Sequence, residues 1–315
     1  MRIAVLDDYQ DVARGMADWA ALVGFETVFF RQHVPEIEAL AKQLAGFDVI
    51  VAMRERTPFP RALLERLPKL RLLVTTGMRN RSIDVEAAKA RNISVCGTPG
   101  LNTTTAELTW GLILALARQI PREDRELRTG RWQTTVGLGL AGKTLGILGL
   151  GSIGQQVARV GAAFGMKLIA WSQNLDAARA SAAGAVRVDK EQLFQEADIL
   201  TIHLILSERT RGLVGARELA LMKASALLVN TSRGPIVDER ALAEALKRGT
   251  LAGAGLDVYG EEPMPRDHPL LLAPNTVLTP HLGYVTRESY RVYYEGAVEA
   301  IRAWQAGAPI RLVQQ

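Results

Sequence analysis

Cysteine is almost absent. Among 315 residues only Cys96 occurs, which excludes a disulfide framework and fits a reducing, cytoplasmic location. Aromatic residues are sparse too, at 6%. No apolar run reaches the roughly 18 residues of a membrane span, and LTWGLILALA is too short. The N-terminal MRIAVLDDYQ enters a strand-like run without a signal-peptide pattern. Charge of one sign is lacking as well, since the net charge is only +5. In PREDRELRTGR, Arg122, Arg125, Arg128 and Arg131 are interleaved with Glu123, Asp124 and Glu126. That reads as a solvated helix face and not as a nucleic-acid surface, because no aromatic platform accompanies it. There is no repeat at fixed period and no low-complexity linker. No metal site, membrane partner or nucleic-acid partner is expected.

What is present is an ordinary globular composition, 48% hydrophobic and 23% charged, with apolar material for two cores. Short apolar runs alternate with helix-period segments. The strand candidates are RIAVLDD, FDVIVAM, LRLLVTTG, ISVCGTP, KTLGILGLG, KLIAWSQ, DILTIHL, ALLVNTSR, AGAGLDV and NTVLTPH. Between them lie helical stretches such as VPEIEALAKQLAG, TTAELTWGLILALARQI and DERALAEALKRGT. Near-continuous apolar strands separated by helices predict parallel sheets covered on both faces, the α/β doubly wound class. Two such units are expected, one over residues 1–100 and one over 101–283. The closing TRESYRVYYEGAVEAIRAWQAG reads as one amphipathic helix that fits either.

Gly149, Gly151 and Gly154 form G-x-G-x-x-G after a strand (Thr144 to Leu148) and at the start of a helix opened by Ser152 and Ile153. A second strand follows at Lys167 to Trp171, the context a dinucleotide turn requires. Gly149 permits the turn, Gly151 lets a pyrophosphate approach the backbone, and Gly154 lets helix and strand pack closely. The helix N-terminus offers N–H groups to phosphate. The ribose-binding acid that usually ends the second strand is missing. Ser172 stands there, followed by Gln173 and Asn174, and Asp176 lies further into the turn. No arginine is adjacent in sequence to clamp a 2′-phosphate, so NAD and NADP both stay open.

Three later strand ends each deliver a polar group: Arg233 after ALLVNTS, Glu262 after AGAGLDVYGE, and His281 after NTVLTP. Ligands of open α/β sheets sit at the carboxyl ends of strands. An arginine grips a carboxylate bidentately and polarises a carbonyl. A histidine exchanges protons near neutral pH, and a carboxylate on its other nitrogen fixes the tautomer. Together they describe hydride transfer to a 2-keto acid, with Arg233 anchoring substrate, His281 as general acid–base and Glu262 orienting it.

GLGSIG, VNTSRGPIVDE, AGAGLDVYGEEP and TPHLG, in this order, resemble the D-isomer-specific 2-hydroxyacid dehydrogenases, a family that includes phosphoglycerate, glyoxylate/hydroxypyruvate and D-lactate dehydrogenases. The resemblance covers nearly the whole chain. It implies a Rossmann nucleotide domain (101–283) inserted in a discontinuous, flavodoxin-like substrate domain (1–100 plus 284–315). It also implies a cleft that closes on substrate, and a homodimer formed through the nucleotide domain. Asp257 matches the residue that holds the nicotinamide carboxamide, Thr231 and Ser232 match backbone contacts to the nicotinamide ribose, and Gly283 joins the cofactor set.

The substrate loop departs from the family. Its pattern, G-x-G-x-D-N-I-D, holds the substrate carboxylate on backbone N–H groups. Here GMRNRSID runs from Gly77 through Met78, Arg79 and Asn80, with Arg79 in place of the second glycine and Arg81 in place of the first acid. Arg79, joined by Arg54, either selects a larger or more acidic substrate or points to solvent. Ile205 stands where the family often has proline beside the adenine. The chain ends near residue 315, which leaves no room for the regulatory domain of longer phosphoglycerate dehydrogenases. Two rival readings use the same scaffold: a dinucleotide-sensing regulator like the family's corepressor relatives, and a formate or phosphite dehydrogenase.

Overall fold

The computed structural model describes residues 1–313 and divides into two compact units, residues 1–101 with 285–313 and residues 102–284. The first begins with strands β1 (Arg2–Val5), β2 (Glu26–Phe29), β3 (Val49–Ala52), β4 (Leu72–Thr75) and β5 (Ser94–Gly97), with helices α1 (Ile37–Leu44), α2 (Arg61–Leu64) and α3 (Val85–Ala90) between them. All pairings are parallel, in the order β2-β1-β3-β4-β5. This is the flavodoxin-like order.

The second unit contains α4 (Thr103–Ala117), α5 (Ile120–Arg128), β6 (Thr144–Leu148), α6 (Ser152–Ala163), β7 (Lys167–Trp171), α7 (Ala177–Ala182), β8 (Val186–Arg187), α8 (Lys190–Glu196) and β9 (Ile199–Ile202). It continues with α9 (Ala216–Leu221), β10 (Leu227–Asn230), α10 (Glu239–Lys247), β11 (Gly253–Leu256) and β12 (Thr276–Leu278). Its sheet runs β12-β11-β10-β9-β6-β7-β8, again parallel throughout. That is the Rossmann order with one strand added at the edge. The chain then returns to the first unit as α11 (Arg287–Gln305), which packs on β4 and β5 and buries Tyr293, Tyr294, Ala297 and Ile301. The architecture is the expected pair of parallel-sheet α/β units.

The apolar strand runs are explained by two-sided burial. In β10, Leu228 enters one core cluster of the second unit with Leu148, Ile202 and Leu256, while Leu227 and Val229 enter the other with Leu145 and Ile147. Burying each such side chain is worth about 1.5–3 kcal/mol. α4 is apolar on nearly every face because it is enclosed by β10, β11 and α6. α5 is its opposite. It buries no residue, and Arg128 bonds Asp124 one turn away, so the interleaved charges do form a solvated face.

Two strands lay outside the expected set, β2 and β8. Both are edge strands, β2 only half-buried and β8 exposed, so neither needs the apolar run by which the others are read. No helix among the described residues is long and apolar enough to cross a membrane.

Candidate active site

β10, β11 and β12 are adjacent and in register, with Asn230 paired to Leu256 and Leu256 to Leu278. Their carboxyl ends therefore share one rim of the sheet, and each releases one member of the expected trio. After β10 the turn is closed by Asn230, whose Oδ1 accepts from the Ser232 N–H at 3.0 Å while Nδ2 donates to the Arg233 carbonyl at 3.1 Å. Arg233 is half-buried and donates from Nη1 to the Ser232 carbonyl at 2.8 Å. Gly234 then passes directly against the next loop, where a Cβ would lie 1.9 Å from the carbonyl carbon of Tyr259.

Glu262 joins the other two loops. Its Oε1 accepts from the Tyr259 N–H at 2.9 Å, and its Oε2 lies 2.5 Å from Nδ1 of His281. His281 has a left-handed backbone, φ 55°, a conformation uncommon outside glycine that clusters at functional sites. With Nδ1 facing Glu262, Nε2 is the nitrogen left for a ligand, and it bonds no other described side chain.

The turn after His281 is held by Asp257, fully buried at the end of β11. Oδ1 accepts from the Thr279 hydroxyl at 2.6 Å and the Leu282 N–H at 2.7 Å, and Oδ2 from the Gly283 N–H at 2.8 Å. Burial pushes its carboxyl above the usual range, against those bonds and the nearby His281, which pull it down. Thr231 is buried with its hydroxyl on Thr109, and Ser232 donates to the Leu204 carbonyl. Both side chains are thus engaged inside the unit, and the Ser232 backbone is engaged as well, through its N–H on Asn230 and its carbonyl on Arg233. Gly283 accepts at its carbonyl from Thr105 at 3.1 Å.

The glycine turn fits a dinucleotide. Gly149 has φ 105°, and a Cβ there would lie 2.8 Å from His203 backbone, while one on Gly154 would lie 2.2 Å from the Gly149 carbonyl oxygen. At Gly151 a Cβ would meet nothing within 4 Å, so the turn is open where α6 begins. No side chain caps that helix, so the N–H groups of Ser152, Ile153 and Gly154 have no intrahelical acceptor and suit phosphate oxygens. After β7, Ser172 is half-buried and Asp176 is spent capping α7 by accepting from the Arg179 N–H at 2.7 Å.

Two arginines distant in sequence nevertheless reach this turn. Arg179 donates from Nη1 to the Asn174 carbonyl at 3.4 Å, and Arg187 from Nε to the Leu175 carbonyl at 2.7 Å. Neither is adjacent in sequence to Ser172; α7 and β8 fold them back.

The first unit holds the other candidates at the ends of β3 and β4. Arg54, at φ 51°, donates from Nη1 to the Thr76 carbonyl at 3.2 Å, and its guanidinium fills the space a Cβ on Gly77 would need. Asn80 is buried, with Nδ2 on the Arg54 carbonyl at 2.6 Å and the Thr75 hydroxyl at 2.9 Å, and with Oδ1 accepting from Ser82. Its side chain therefore builds the loop and has little left for a ligand. Met78 and Arg79 are exposed.

His203, which carries no motif in the sequence, directly follows β9 as His281 follows β12. Nε2 lies 2.9 Å from the Thr201 hydroxyl and Nδ1 is buried without a partner.

A doubly wound nucleotide-binding unit, with an arginine and a carboxylate-paired histidine on one sheet rim, defines a nicotinamide-dependent oxidoreductase. Residues 110–283 match the model of the D-isomer specific 2-hydroxyacid dehydrogenase, NAD binding domain. The chain is 43% identical to a glyoxylate reductase of Aeropyrum pernix, over 80% of this chain and 79% of that one. It is 41% identical to a D-3-phosphoglycerate dehydrogenase of Methanocaldococcus jannaschii, over 81% of this chain and 49% of that one. A putative D-3-phosphoglycerate dehydrogenase of Ralstonia solanacearum superposes with a TM-score of 0.94 at 38% identity, over 99% of this chain and 96% of that one. The chain belongs to the D-isomer-specific 2-hydroxyacid dehydrogenase family. It is an enzyme of that family and takes NAD(P) as cofactor.

Burial pushes the His203 imidazole down to about 3 from 6.5. The unfolded chain binds this proton below pH 6.5 and the folded chain does not, so stability present above 6.5 is lost as pH falls towards 3. In urea titrations at descending pH, the advantage of the wild type over His203→Gln should shrink below pH 6.5. An advantage constant to pH 4 would contradict the assignment.

Proposed function

We propose that this protein interconverts a 2-keto acid and a D-2-hydroxy acid, with Arg233, Glu262 and His281 as its reactive set. The observation that carries the reading is the 2.5 Å contact of Glu262 with His281 Nδ1, one strand from Arg233 on an in-register rim. When bound, the nicotinamide cofactor supplies or accepts the hydride. Arg233 binds the substrate carboxylate and carbonyl through its fork of donors. His281 gives a proton from Nε2 to the carbonyl oxygen in reduction and takes it back in oxidation. Glu262 holds the tautomer and stabilises the imidazolium. Gly149, Gly151, Ser152, Ile153 and Gly154 hold the pyrophosphate, and Asp257, Thr231, Ser232 and Gly283 hold the nicotinamide end. The first unit acts as substrate domain, with the backbone of residues 77–80, Arg54 and Arg79 recognising the acid.

The test is steady-state oxidation of NADH and NADPH over a panel from glyoxylate, pyruvate and hydroxypyruvate to branched, aromatic and dicarboxylic keto acids. His281→Ala should lower turnover roughly 10²–10⁴-fold. Arg233→Ala should cripple turnover while leaving cofactor affinity nearly intact. Full turnover in either variant refutes the roles given.

For the cofactor we propose that NADPH is accepted at least as well as NADH. The turn after β7 offers Ser172 in place of an acid, and Arg179 lies against it. Arg179→Ala should weaken NADPH binding by about tenfold, as one charge-assisted hydrogen bond implies, and leave NADH binding little changed. Equal losses for the two cofactors would count against it.

A homodimer through the second unit is proposed from an apolar surface on and beyond α5. Ile120 is 53% exposed, Leu127 56%, Trp132 76% and Val136 99%. Ile120, Leu127 and Trp132 line a depression of about 500 Å³ with Arg118 and Glu123. Exposed patches of this kind mark interaction surfaces. Sedimentation at micromolar concentration should give a dimer that Trp132→Asp with Val136→Asp dissociates; a monomeric wild type would end the proposal.

A further inference from the structure

Glu262 sits in residues 260–268, a segment without helix or strand. Such segments are mobile unless tied, yet this one must keep a carboxylate oxygen 2.5 Å from His281. Both of its ends are tied by one side chain. Glu239, the first residue of α10, accepts from the Gly260 N–H through Oε1 at 2.8 Å and meets His268 Nε2 through Oε2 at 3.2 Å. The pair is shielded, with side-chain exposures of 12% for His268 and 17% for Glu239.

The chemistry of the pair is determined. His268 Nδ1 accepts from the Leu270 N–H at 3.4 Å, so in the neutral ring Nε2 carries the proton and donates to Glu239. A Cβ at position 260 would stand 3.1 Å from Glu239 Oε2, so glycine lets the carboxylate reach the backbone. Just ahead of the tied segment, Tyr259 completes the link. Its N–H holds Glu262, its ring stands edge-on to His268 at 6.4 Å, and its hydroxyl lies 3.1 and 3.0 Å from the Leu256 and Thr279 carbonyls.

We propose that Glu239 and His268 are positioning residues for the reaction, pinning both ends of the 260–268 loop so that Glu262 presents to His281 Nδ1. Neither touches the reacting atoms. The inference rests on the roles given above to Glu262 and His281. A carboxylate is required because it accepts at both oxygens, whereas an amide keeps the Gly260 bond and opposes its own N–H to that of His268.

The test compares Glu239→Ala, Glu239→Gln and His268→Ala in the full-length enzyme. The readouts are kcat and KM with the best keto acid of the panel, cofactor Kd by fluorescence titration, and the low-field proton NMR signal of His281 Nδ1–H. Glu239→Ala should lower kcat roughly 10- to 100-fold, as a misplacement near 1 Å does, with KM and cofactor Kd nearly unchanged and the NMR signal lost. Glu239→Gln should recover part of the rate. Unchanged kcat and NMR signal in Glu239→Ala, with His281→Ala inactive, overturn the proposal and leave the functional reading standing. If His281→Ala stays active, that reading falls instead. The NMR signal alone then decides, its loss in Glu239→Ala supporting the positioning role and its persistence overturning it. Should Glu239→Ala fail to bind cofactor, the same readouts on His268→Ala decide.

Discussion

Two turns of the second unit share a volume that only hydrogen can fill. At Gly234 a Cβ would come within 1.9 Å of the Tyr259 carbonyl carbon, so the loop after β10 and the loop after β11 are pressed backbone to backbone. Any side chain there would part them by more than the tolerance of the bonds they carry. Because the strands beneath are in register, that contact fixes Arg233 relative to the segment that presents Glu262. The Tyr259 N–H on Glu262 and the Glu262 contact with His281 then extend the same constraint to the third strand.

The carboxylates around this rim divide the work by environment. Asp257 is buried and surrounded by donors, and it holds the turn following His281. Glu239 is shielded and ties a loop. Glu262 meets the His281 imidazole, and it keeps more contact with solvent than either, at 34% side-chain exposure. A buried carboxylate with every oxygen engaged makes a rigid support.

The first unit shows a different economy. Arg54 and Asn80 both build the loop at the end of β4: the arginine lies over Gly77, and the asparagine bonds Arg54, Thr75 and Ser82. The Gly77 turn, at φ 86°, is thereby braced, while Arg79 is exposed. In the sequence Arg54, Arg79 and Asn80 look alike as polar residues at strand ends. Burial and bonding separate them into framework and surface.

Sequence alone determined what periodicity and residue type control. Strands buried on both faces betray themselves as apolar runs, and a glycine turn between strand and helix has few alternatives. Arginine, glutamate and histidine at strand ends advertise their chemistry by type. The edge strands β2 and β8 were not legible, because one-sided or absent burial leaves no run to read. Only the tertiary structure decided strand order and register, and hence that the three ends share a rim. It also brought Arg179 and Arg187 onto the turn after Ser172, and drew Glu239 and His268 together across 29 residues of chain. The physical reason is the same each time. Pattern along the chain reports which groups are buried, whereas contact across it depends on how separate elements close upon one another.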